Sequence, residues 1–153
     1  MNDTEILQRI QADMSSAMKS RDAETLSTLR MLKTALMEAR TKKAKDAGLS
    51  ADEQIEILRR YAKKRREAIE EFRKVGRLDL VASEEREIRV TARYLPEELG
   101  EEAIRARIRE AVAKTGAAGP KDAGKVIGAV MAEARGRVEG GTVSRLVREI
   151  LGG

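Results

Sequence analysis

The chain has 153 residues, 31 basic against 26 acidic groups, 41% hydrophobic residues and only 2% aromatics, a length that suits one ordinary domain or two small ones. It contains no Cys, His or Trp, which excludes disulfides, thiolate chemistry, Cys/His zinc sites and His-based catalysis, and leaves little for stacking bases on aromatic rings. The longest apolar run, Val126 to Ala132, is too short to span a bilayer, Met1 to Glu5 lacks the apolar stretch of a secretory signal, and the absence of cysteine suits the cytoplasm.

Everything in the chain has helical periodicity, so the expected fold class is all-α. Asp3 is placed to cap a first helix whose apolar residues Ile6, Ile10, Met14 and Met18 recur every four positions. Asp22 is placed to cap a second, with Leu26, Leu29, Leu32 or Lys33, and Leu36 on one face; it fades through Lys42, Lys43 and Lys45 to Gly48, a natural left-handed stop. Ser50 and Glu53 have capping-box spacing and open the longest helix, which runs to Gly76. Its seam is Ile55, Leu58, Ala62, Arg65, Ile69 and Phe72, with Arg65 laying its stem along the seam and its head in water. Asp79 is placed to cap a fourth helix, with Val81, Ile88, Ala92 and Leu95 inward, ending before Pro96.

Beyond Pro96 the elements shorten. One helix fits Glu101 to Lys114, with Ile104, Ile108 and Val112 on one face and Gly116 closing it. A second fits Pro120 to Ala134, with Pro120 at its first position. Gly136 and Gly140-Gly141 form the next turn, and a third helix runs from Thr142 to Leu151 with Val143, Leu146, Val147 and Ile150 inward. Ten of the 12 glycines follow position 99. The organisation expected is a four-helix, bundle-like N-terminal unit over 1–95 and a three-helix C-terminal unit over 96–153.

The charge is uneven. Residues 40–77 carry 13 basic and 7 acidic groups, while the flanking segments are close to balance. On the third helix Arg59, Lys63, Arg66, Glu70, Arg73 and Arg77 fall on one stripe, a quarter turn from the apolar seam. Such a stripe suits a phosphate backbone; a solvated face laced with pairs to Glu67 and Glu71 is the competing reading. Gly119 to Val126 matches G-x-x-x-x-G-K, but Val126 stands where a phosphate loop needs Ser or Thr, and no strand precedes it. Gly124, Gly128 and Ala132 share a face that would let another helix approach closely, as packing or docking. The acidic groups Glu84, Glu85, Glu87, Glu97, Glu98, Glu101 and Glu102 fit helix starts and exposed faces rather than a general acid–base pair or a metal loop. Ser50 and Ser83 fit caps or turns. No catalytic residue, metal or cofactor is expected.

Several stretches resemble the YqeY-like family. They are Leu29 to Lys33, Lys63 to Phe72, Gly76 to Leu80, Glu84 to Ile88 and Tyr94-Leu95-Pro96, then Lys121 to Gly128, Arg135 to Gly140 and Val143 to Leu151. Ile127 and Glu139 depart from the family pattern, where Met and Asp are usual. The family is similar to the tail of the B subunit of tRNA-dependent amidotransferases, an appendage that contacts tRNA. The resemblance implies an all-α protein of two units. It also implies an association, at family level only, with carbon–nitrogen ligation using glutamine as amide donor, whose catalytic apparatus lies elsewhere in that enzyme.

Together these readings point to a non-catalytic module that binds tRNA or another structured RNA weakly and in a salt-dependent way, with no DNA sequence specificity and no membrane. The contacts expected are Lys63, Arg66, Arg73 and Arg77 on the first unit, and Lys121, Lys125, Arg135 and Arg137 on the second. The rival reading is a protein-interaction module that docks on an amidotransferase or another protein through Gly124, Gly128 and Ala132.

Overall fold

Three levels of local signal set the architecture: caps, apolar periodicity and left-handed stops. The computed structural model describes residues 5–134 and 136–152, and among them every regular element is helical. The order is α1 (Glu5–Lys19), α2 (Ala23–Thr41), α3 (Ala51–Lys74), α4 (Leu78–Ala92), α5 (Glu101–Thr115), a 3-10 turn (Pro120–Asp122), α6 (Ala123–Glu133) and α7 (Gly140–Leu151). The chain divides into two compact units, Met1–Leu95 and Pro96–Gly153.

In the first unit Ile6, Ile10, Leu29, Leu32, Leu36 and Leu58 are buried together with Ile55, Tyr61, Val90 and Tyr94. Removing this apolar surface from water is what drives the helices together. The expected Asp3 cap lies outside the described residues. A strict four-residue repeat drifts by about 40° per step, so Met18 ends up 60% exposed and Ala17 takes its place in the core. Asp22 caps α2 by accepting from the Thr25 N–H. Gly48 is not the stop after α2; the left-handed residue there is Asp46, at φ 72°.

Ser50 and Glu53 form the capping box of α3. The Glu53 N–H donates to Ser50 Oγ at 3.1 Å and the Ser50 N–H to Glu53 Oε2 at 2.9 Å. The helix closes at Gly76, at φ 72°, a backbone conformation glycine adopts without steric cost. The head of Arg65 is taken up by neighbours rather than left to water alone. Its guanidinium sits 4.8 Å from the Tyr61 ring centre and 3.6 Å from Glu84 Oε2. Asp79 is not the cap of α4. Arg77 holds that position, and Asp79 in the first turn pairs with it. The inward face of α4 is Val81, Val90 and Thr91, continued by Tyr94, whereas Ala92 is exposed and Ile88 half-buried.

In the second unit Ile104, Ile108, Ala111, Val126, Val130, Val143, Leu146 and Val147 form the core. Gly116, at φ 70°, ends α5 as its αL cap. The segment expected as one helix from Pro120 splits into the 3-10 turn and α6. Gly140 and Gly141 lie inside the first turn of α7 rather than in the loop before it.

Candidate nucleic-acid interface

Of the stripe expected on α3, Lys63 and Arg66 are exposed to solvent, as are Arg60 and Lys64 beside them. Arg59 is half-buried. Further along, the competing reading gains ground. Arg73 is paired with Glu70 at 3.2 Å and with Glu85 at 3.4 Å, and Lys74 with Glu71 at 3.0 Å. Arg77 is no longer on α3, because the helix stops at Lys74 and the turn at Gly76 breaks its phase. Its guanidinium forks onto Asp79 at 3.2 and 3.1 Å, and that contact holds the Asp79 carboxyl below its usual range. Of the lysines in the preceding loop, Lys43 is structural, donating to the Gly48 carbonyl at 2.9 Å and to Glu53 at 2.8 Å.

In the second unit Lys121 and Lys125 are exposed, one turn apart where the 3-10 turn runs into α6. Asp122 between them accepts from the Ala118 N–H at 2.9 Å. That bond, with help from the two lysines, holds its carboxyl below the usual range. Arg135 lies outside the described residues. Arg137 is half-buried and acts as a latch: its carbonyl accepts from the Leu99 N–H at 2.8 Å, and its Nε donates to the Glu97 carbonyl at 3.4 Å. Gly124, Gly128 and Ala132 are exposed, and a Cβ built on either glycine meets nothing within 4 Å. Helix packing within the unit therefore does not use them.

A polar cleft of about 490 Å³ in the first unit was not expected. It lies between the start of α2 and α4, with Arg86, Arg89 and Arg93 on one side and Thr25, Ser27 and Thr28 on the other. The three arginines have the +3, +4 spacing of a helical face, the signal that marked α3. On α4 it is masked by Glu84, Glu85 and Glu87, which dilute the local charge.

No helix among the described residues is long and apolar enough to cross a membrane. The model of the "Yqey-like protein" family matches residues 7–151. The chain is 32% identical, over 96% of its own length and 81% of the relative's, to "Altered inheritance of mitochondria protein 41, mitochondrial" of Pyrenophora tritici-repentis. It is 36% identical to an uncharacterized protein of Schizosaccharomyces pombe, over 58% of this chain and 70% of that one. With residues 7–151 of its 153 matched by that model, the chain belongs to the YqeY-like family.

Proposed function

We propose that this chain is a non-catalytic, RNA-associated accessory module acting on tRNA or a similar structured RNA. The observation that carries the reading is the set of exposed cations that, among the described residues, meet no carboxylate within ion-pair distance: Lys63 beside Arg60 and Lys64, and the Lys121–Lys125 pair. Phosphate contacts of this kind supply sequence-independent, salt-sensitive affinity. Family kinship to the tRNA-contacting tail of an amidotransferase supports the choice of RNA. Arg73 and Arg77, already paired, contribute less than Lys63. A cytoplasmic setting is part of the proposal, and the name of the Pyrenophora relative makes a mitochondrial one the alternative to test by fractionation.

Fluorescence anisotropy with labelled tRNA tests it. Affinity should fall with salt by about 0.7–0.9 log units per phosphate contact for each log unit of salt. The variant Lys121→Ala/Lys125→Ala should weaken binding and flatten that slope by up to about two contacts. Arg77→Ala should change neither. No anisotropy change at low salt and high micromolar protein rules the reading out. The purified chain should release no ammonia from glutamine.

The open face at Gly124 and Gly128 favours a second reading, docking of a protein partner on α6. Gly128→Leu should then abolish partner capture while leaving the melting temperature and tRNA affinity unchanged.

A further inference from the structure

We infer that the cleft between α2 and α4 is a binding site for a small phosphate ester, distinct in its residues from the RNA contacts above. Arg89 on α4 and Arg93, the C-cap of that helix, lie one helical turn apart on one wall. Both are exposed, and among the described residues neither guanidinium donates a hydrogen bond or meets a carboxylate within ion-pair distance. Arg86, one turn earlier, is the exception, paired with Glu24 at 3.1 Å.

The other acids of the wall are engaged elsewhere. Asp22 accepts from the Thr25 N–H and hydroxyl at 3.1 and 2.7 Å; these bonds, with a smaller contribution from Arg93, keep its carboxyl below the usual range. Glu87 accepts from the Tyr61 hydroxyl at 2.8 Å, and its other oxygen faces Arg65 at 3.9 Å. The cleft thus presents two guanidinium forks with open donors, and each fork fits the paired oxygens of a phosphate. The Ser27 and Ser83 hydroxyls also line the cleft, and neither has a hydrogen-bond partner among the described residues.

The remaining walls narrow the ligand. The volume is that of a small-molecule site. Among the described residues Val90 is the only apolar side chain in the lining and no aromatic ring faces in, so none of them is provided to hold a nucleobase. Hydroxyls and carboxylates around two free guanidiniums suit a phosphate on a short polyol or sugar. The capped start of α2 is not the seat of the anion, since Asp22 already occupies it.

Two-dimensional NMR of the full chain, following arginine Nε–H and backbone amide resonances, tests the site with inorganic phosphate and glycerol 3-phosphate as probes. Chloride at matched ionic strength is the control. The expected result is a saturable millimolar titration moving Arg89, Arg93 and the amides of residues 24–28, with glycerol 3-phosphate binding more tightly than inorganic phosphate. Arg89→Gln and Arg93→Gln, both at exposed positions, should each weaken binding about tenfold. Glu24→Gln, which frees Arg86, should tighten it about two- to fivefold. Shifts that grow linearly, that chloride reproduces, or that survive both arginine variants overturn the proposal. So does an RNA hexamer that moves the same resonances at lower phosphate concentration than glycerol 3-phosphate, which would assign the cleft to an RNA backbone instead.

Discussion

Arg65 shows how one residue couples two helices. Its guanidinium packs on the face of Tyr61 and faces Glu84 and Glu87 on α4. The Tyr61 hydroxyl donates to Glu87, and burial, followed by that bond, pushes the phenol up beyond its usual range. Burial and then the neighbouring Glu87 charge also raise the Glu84 carboxyl, against the opposing pull of Arg65. A carboxyl raised in the folded state favours folding while it is protonated. That contribution is full below the ordinary carboxylate range and is lost as pH rises through Glu84's own ionisation. The stability difference between wild type and Glu84→Gln should therefore shift against the wild type as pH rises from 4 towards 7, measured by urea unfolding. Arg65→Met, which leaves two acids without their shared cation, should cost on the order of 2 kcal/mol at neutral pH. Periodicity singles out Arg65 as the odd member of an apolar seam with Tyr61 one turn before it, but its acidic partners Glu84 and Glu87 are distant in sequence, so no local signal reveals them.

At the level of elements, the signals that survived are those with a complete local mechanism. The Ser50–Glu53 box needs only four residues to satisfy two otherwise unpaired N–H groups, and it is legible in the chain. Ser50→Ala should destabilise the protein by about 1 kcal/mol, read from chemical denaturation. Glu53 is held below its usual range by Lys43 and then by the Ser50 N–H, so the destabilisation of Glu53→Gln should be present at neutral pH and vanish as pH falls through the carboxylate range. Signals that depend on a single residue type fared worse. Asp79 is a good cap in isolation, but Gly76 turns the chain early enough for Arg77 to take the position. Gly48 is a plausible stop, yet Asp46 adopts the left-handed conformation, which its short polar side chain tolerates. The cleft is not legible in the sequence because opposite charges interleave along α4, and only the three-dimensional partners of Asp22, Glu24 and Glu87 show which arginines remain open.

Across the whole molecule, two apolar cores form from disjoint sets of residues, one in each unit. Leu58 is fully buried in the first and Leu146 in the second. Leu58→Ala should cost about 2–5 kcal/mol, and amide exchange should accelerate throughout α1–α4 while α5–α7 stay protected; Leu146→Ala should do the reverse. Within the first unit the last residues are held by the first helix. Tyr94 is buried, its hydroxyl donates to Asp13, Arg9 lies 5.1 Å from its ring centre, and the Arg9 guanidinium donates to the Arg93 carbonyl at 2.9 Å. The sequence separation of these bonds is 81 and 84 residues. A ribosome releases α1 long before Tyr94 exists, so α1 can pack on α2 while Arg9 and Asp13 still lack the Arg93–Tyr94 segment they hold in the finished unit. Closure of this clasp is then the step of longest sequence separation in the first unit, the kind of contact that forms late in folding.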